Sequence, residues 1–239
     1  MDPTSQPVGA IVEGPPARRP ERTRLIGRHI HIVPFDPDRH APALYAASHG
    51  AGHEGLWTYL SVGPFPDEAS FRHTYEALAA KDDPLLFALA DPVSGAPLGH
   101  ATYMRIEPGQ RVVEVGNILF TPALARTPAA TEAMYLMARH AFEDLGYRRY
   151  EWKCNALNAP SKRAAERLGF TFEGHLRKHW VIKGRQRDTD YYSITDDEWP
   201  RCRDALLAWL DASNFAPDGT ARRGLAELRA ALPDGTGIA

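Results

Sequence analysis

The first residue that could do chemistry is a carboxylate in an apolar strand. Glu114 lies in Val113-Glu114-Val115, so strand alternation turns it to the face opposite both valines. If partly buried there, its pKa would rise and it could accept a proton, directly or through water. If the strand lies at an edge, it is a surface charge. Downstream, Pro122 ends the strand and Thr127-Pro128 opens a helix, with Thr127 suited to the N-cap and Pro128 to the first helical position. No Glu or Gln follows three residues later to close a capping box; Ala130 stands there. The amides of Ala129, Ala130 and Thr131 are therefore expected to lack side-chain partners. Their small side chains and the helix dipole suit an anion such as a phosphate. A water-capped helix start fits the same residues. Farther on, Asn158 and Ser161 flank Pro160 and by residue type cap a short helix.

Other reactive types give less. The ten histidines form no HExxH pattern. His29 and His31 alternate on a strand and are expected at a surface or edge, because no carboxylate motif completes a ligand set. No metal is expected. Cys154 and Cys202 are the two cysteines. They offer no disulfide framework and no zinc site, and a reducing cytoplasm is the expected location. The loop at residues 50–66 carries Leu56, Trp57, Tyr59, Leu60 and Phe65. It either packs into the core or forms a substrate wall, with Trp57, Tyr59 and Phe65 as the candidate binding residues.

These residues need elements to position them. The chain has 239 residues, 44% hydrophobic and 24% charged, enough for one domain with a substantial core and appendages. A net charge of −2 disfavours general nucleic-acid binding. No apolar run reaches the roughly 18 residues of a membrane span, and the N-terminus lacks a signal-peptide pattern. Residues 1–24 hold five prolines and read as an extended arm, draped over the domain or disordered. Strands are predicted at 28–33, Leu85–Ala90, 98–106, Val112–Phe120, 149–154, 170–173 resuming at 178–182, and 187–195. Helices are predicted at 36–48, 67–80, 128–145, 161–168, 198–211 and 221–232. The 128–145 helix carries Ala130, Met134, Met137, Ala138, Ala141, Phe142 and Leu145 as its buried stripe, with Glu132, Arg139 and Glu143 opposite. That helix crosses between two strands expected to be parallel. The result is an α+β (α/β) architecture.

Three motifs then resemble those of the GNAT-superfamily acyltransferases, in the branch of the RimJ/RimL ribosomal-protein N-terminal acetyltransferases. They are Ala130-Thr131-Glu132-Ala133 at the helix start; Asn158-Ala159-Pro160-Ser161 followed by Ala165-Glu166-Arg167-Leu168-Gly169-Phe170 and Glu173-Gly174; and Gly184-Arg185 through Asp188, Tyr191, Tyr192 and Ser193. The resemblance covers roughly residues 28–199. It implies a mixed, mostly antiparallel, twisted sheet splayed at its centre, with helices on both faces. It divides the chain into an arm (1–24), a catalytic domain (25–197) and a C-terminal helical extension (198–239).

The resemblance also implies acetyl-CoA as cofactor. Its pyrophosphate would rest on Thr127, Ala129, Ala130 and Thr131, with Arg126 adding charge. The pantetheine arm would enter the splay and meet the backbone of Ile118, Leu119 and Phe120. Asn158 would bind pantetheine amides, Ser161 would return a proton to the thiolate, and Glu114 would be the base; His100, His175 and Tyr192 are lesser candidates. Lys162 and Arg163 either meet the adenosine phosphates or form a solvated face. One departure stands out. The family's loop has a Gln or Arg where this chain has Ala125, and a Gly where it has Pro128, which lacks an N–H. The expected reaction is direct attack of a primary amine, on a small molecule or a protein N-terminus, with no nucleic-acid or membrane partner. The alternative is a non-catalytic acyl-CoA-binding or protein-interaction module. The Trp199/Trp209 helix can pack on its own domain or make a homodimer.

Overall fold

The computed structural model describes residues 6–233; residues 1–5 of the arm and 234–239 of the extension lie outside it. The elements follow in the order β1 (Leu25–Ile26), β2 (His31–Pro34), α1 (Pro37–Ser48), α2 (Glu68–Ala79), β3 (Leu85–Ala90), β4 (Pro97–Glu107), β5 (Val112–Phe120), α3 (Pro128–Arg139), β6 (Arg149–Asn155), α4 (Ala159–Leu168), β7 (Thr171–Ile182), β8 (Arg185–Thr195), α5 (Trp199–Leu210) and α6 (Leu225–Ala231). Eight strands form one sheet in the order β1-β2-β3-β4-β5-β6-β8-β7. Every neighbouring pair is antiparallel except β5 with β6. The single parallel pair is where α3 crosses over, since a parallel return needs a long connection. The sheet is mixed, mostly antiparallel and helix-covered on both faces, as expected.

Alternation along the strands builds two cores. Phe87, Tyr103, Val113, Val115 and Tyr150 face α3 in the larger one, which also buries Trp199, Leu206 and Trp209 of α5. Leu86, Ala88 and Leu119 face the other way, against Leu44 of α1 and Phe71 and Tyr75 of α2. Local caps set the helix starts. Asp36 accepts from the Asp38 and Arg39 amides, and Asp67 from Ser70. After α3, residues 140–144 widen into one π-helical turn, and Gly146 at φ 81° lets the chain turn away.

The described part of the arm is draped over the domain. The Ala17 amide donates to Pro108 O at 3.0 Å and the Arg18 amide to Leu145 O at 2.8 Å. Glu132 departs from expectation. It is not on an open polar face but buried, accepting from the amides of Arg28 (2.9 Å), His29 (2.5 Å) and Ile30 (3.0 Å). The turn before β2 lies on α3 and uses that carboxylate as its cap, a contact across about 100 residues that helical periodicity does not reveal. Other spans differ as well: the strand expected at 28–33 is split into β1 and β2, with His29 in the turn between them; β7 runs unbroken through 174–177; and α6 is shorter than expected. Among the described residues no helix is long and apolar enough to cross a membrane.

Candidate functional site

The strands β5 and β6 pair through three registers only: Val112 with Arg149, Val113 with Tyr150, and Glu114 with Glu151. Beyond Glu114 they part. A bulge in β5 drives the separation. Thr102 of β4 opposes Gly116 and His100 opposes Leu119, so Ala101 alone faces Asn117 and Ile118. Asn117 takes up the extra residue at φ 47°, and a bulge of this kind bends its strand. On the other side, β6 stays with β8 out to Asn155. The cleft between the parted edges holds about 410 Å³ and is lined by residues 115–118 and 152–155. Such edges leave peptide donors and acceptors free to pair with an extended ligand.

One wall is ionic. Glu114 has a side chain only 3% exposed, and its Oε2 meets Arg105 at 2.7 Å and Lys153 Nζ at 2.9 Å. The Lys153 ammonium reaches Glu151 at 2.7 Å, and Arg149 joins Glu151 to Glu173, each at 2.7 Å. The partners respond differently. Burial pushes the Glu114 carboxyl above its ordinary value, and the two cations only partly pull it back. Burial works against the Lys153 charge too, but Glu114 and Glu151 outweigh it and hold that pKa up. Both cations take Oε2. Oε1 lies on the Gly116 side, 3.3 Å from where a Cβ on that glycine would stand, a position the Met104 sulfur already crowds.

The opposite wall is β6 and α4. Ser161 Oγ accepts from Trp152 Nε1 at 3.0 Å, and the Ser161 amide donates to Asn158 Oδ1 at 3.2 Å. Asn158 therefore caps α4 while it lines the cleft. Burial pushes the Cys154 thiol up, which keeps it protonated near neutrality and leaves no thiolate nucleophile. The roof comes from the loop after α1. Tyr59 donates to Leu157 O at 3.0 Å, and Lys183 Nζ reaches Trp57 O at 2.8 Å.

Several expected residues fall elsewhere. Trp57 is fully buried in the second core, donating to Ser48 O at 2.9 Å, and Phe65 packs edge-on against it; of the three aromatic candidates Tyr59 lines the cleft. Ile118 lines it too; the side chains of Leu119 and Phe120 pack into the cores, which leaves their backbone, the part expected to meet the pantetheine arm, on the strand beside it. At the start of α3, Thr127 Oγ1 accepts from the Ala130 amide at 3.3 Å, which corrects the expectation that this amide has no side-chain partner. The Thr131 hydroxyl accepts from Arg167 at 3.1 Å. Arg126 is exposed, at φ 64°. Of the lesser base candidates, His100 and Tyr192 are closed in, and the exposed His175 is engaged by a carboxylate. His100 is buried against the Tyr75 hydroxyl and burial pushes its pKa down to about 3. His175 is bound to Asp190 at 2.6 Å, and burial pushes buried Tyr192 up to about 12. Lys162 bonds Asp190 at 2.8 Å. Arg105, Lys153 and Arg187 escaped the sequence reasoning. For Lys153, alternation along Arg149-Tyr150-Glu151-Trp152-Lys153 carried the signal.

The family model for the acetyltransferase (GNAT) domain matches residues 29–171, more than half of the chain. A crystal structure of a GCN5-related N-acetyltransferase from Brucella melitensis is 42% identical, covers 91% of this chain and 98% of that one, and superimposes with a TM-score of 0.88. An uncharacterized N-acetyltransferase, YnaD of Bacillus subtilis (strain 168), is 28% identical over 103 residues. That match spans 43% of this chain and 59% of YnaD, less than two thirds of that relative's length. A structure of RimL, a ribosomal L7/L12 alpha-N-protein acetyltransferase in complex with coenzyme A, is 17% identical over 72% of this chain and 98% of that one, with a TM-score of 0.59. At that identity the likeness is one of fold.

Proposed function

This chain belongs to the family of GNAT acetyltransferases, whose members use acetyl-CoA, and from that membership we propose that it transfers the acetyl group to a primary amine by direct attack. The parting of β5 from β6 after Glu114 carries the reading. It leaves two peptide edges facing each other across a cleft that a pantetheine arm would fill, with a carboxylate at one side and a hydroxyl at the other. When bound, acetyl-CoA supplies the activated acyl group.

The chain's own residues divide the work. Backbone of residues 115–118 and the amide of Asn158 hold the extended arm. The Ala129 and Thr131 amides at the start of α3, with Arg126 near them, receive the pyrophosphate. A peptide N–H at the β5 bulge meets the thioester oxygen as negative charge grows on it. Glu114 Oε1 accepts the ammonium proton, directly or through one water. Its raised pKa suits that task, while Arg105 and Lys153 keep Oε2 in place. Ser161, oriented by Trp152, returns a proton to the departing thiolate. We assign the catalytic domain to residues 25–197, with residues 1–24 and 198–239 as appendages, and a reducing cytoplasm suits the two free thiols.

Titration calorimetry with acetyl-CoA tests this. Binding must also raise the apparent melting temperature. No heat and no stabilisation at millimolar cofactor would remove the proposal. Binding without thiol release across a broad amine panel would favour a non-catalytic acyl-CoA-binding module, a reading supported by Pro128, whose missing N–H removes one phosphate donor.

A further inference from the structure

The charges around the cleft do not balance. Arg105, Lys153 and Arg149 are matched by Glu114, Glu151 and Glu173 in one continuous ladder. Arg187 lines the same cleft, half-buried, and stands outside that ladder. Among the described residues it pairs with no carboxylate; its Nε donates to the Thr189 hydroxyl at 3.2 Å. Burial works against its charge and lowers its pKa. A desolvated guanidinium with one neutral partner costs the fold free energy unless an anion arrives.

Its position says which anion. Glu114 and Lys153 lie on the sheet face turned away from α3, where Lys153 sits 4.7 Å over the Tyr191 ring. Arg187 lies four residues before Tyr191 along β8, past the last β6–β8 pair at Asn155–Thr189 and on the same face. That is the side remote from the helix start where the pyrophosphate would rest. The field there is positive. Arg187, Arg105 and Lys153 all act on His179, whose pKa burial and these charges lower, and whose Nδ1 is buried without a partner. The roof limits the occupant's size, since Tyr59 and Lys183 tie the loop after α1 to the far bank at Leu157 and to the β7–β8 turn.

We propose that the acceptor is a small amine bearing its own carboxylate, an amino acid in the broad sense, and that Arg187 binds that carboxylate while the amine faces Glu114. This rests on the acetyltransferase reading and narrows its substrate. A guanidinium meets a carboxylate through two parallel hydrogen bonds, a geometry that fixes the amine as well as the charge.

The test measures thiol release from acetyl-CoA with α-, β- and γ-amino acids, their amides, diamines, a short peptide and aminoalkyl phosphates. At least one amino acid should be used about 100-fold better, in kcat/KM, than its own amide. Arg187→Gln should raise KM for that acceptor about 100-fold, leave KM for acetyl-CoA unchanged and abolish the preference over the amide; Arg187→Lys should recover part of it. Amides, diamines, the peptide or aminoalkyl phosphates used as well as or better than every amino acid would overturn the proposal. So would an equal fall in kcat for all acceptors in Arg187→Gln, the mark of a role at the thioester oxygen. Turnover of no amino acid by a protein that binds acetyl-CoA would also overturn it. Failure to bind acetyl-CoA is read separately by calorimetry and counts against the acetyltransferase reading instead.

Discussion

Replacing Lys153 by Met tests whether the ion ladder holds the cleft together. The lysine side chain is 8% exposed and its ammonium touches Glu114 at 2.9 Å and Glu151 at 2.7 Å. At an effective dielectric of about 20, each contact is worth roughly 6 kcal/mol of gross attraction. Most of that is offset by desolvation of the ammonium and of the two carboxylates. Methionine keeps the aliphatic volume and removes the charge. Glu114 then retains Arg105 and Glu151 retains Arg149. The expected loss is therefore at the low end for a broken buried pair, about 3 kcal/mol, or roughly 6–12 °C in Tm for a chain of this size.

The pH dependence carries a sign. Burial already sets the Glu114 pKa above its unfolded value, and losing Lys153 raises it further. A raised carboxylate is a cost present above its folded pKa and removed as pH falls through it. The Glu151 pKa is lowered, because Lys153 and Arg149 outweigh burial. Its stabilisation is present above its unfolded value and lost as pH falls. Both effects make the gap between variant and parent narrow toward acid. Urea unfolding at neutral pH and near pH 4 measures it, and adding Glu114→Gln should recover about 1–3 kcal/mol as coupling. A variant within about 0.5 kcal/mol of the parent at neutral pH, or a gap that widens on acidification, would refute the account.

Two further predictions follow from the walls and the far core. Ser161→Ala and Glu114→Gln should each lower kcat by about 100-fold or more, the usual scale for a proton-transfer group, with the calorimetric affinity for acetyl-CoA little changed; if neither slows turnover, the proton routes are misassigned. Trp199 is 4% exposed, stacks on Phe142 at 5.0 Å and donates to Glu143 at 2.9 Å. Trp199→Ala should cost about 3–5 kcal/mol in chemical denaturation, and a cost below about 1 kcal/mol would mean that α5 is not part of the core.

The local grammar was readable without coordinates. Val112–Phe120 follows from its β-branched residues, the start of α3 from Thr127-Pro128, and the cap of α4 from Asn158, because each depends on neighbours a few residues away. The acyltransferase motif at residues 158–174 was legible for the same reason. Tertiary structure decided the rest. Trp57 and Tyr59 stand two residues apart in one loop, yet one fills a core and the other roofs the cleft. Helical spacing put Glu132 on a polar face, but a turn about 100 residues earlier claims it. The ladder from Arg105 to Glu173, and the unmatched Arg187 beside it, exists because β4, β5, β6, β8 and β7 lie side by side, each about 5 Å from the next. Propensity and periodicity are properties of short windows. Which charge meets which carboxylate, and which is left over, is set by strand order and register.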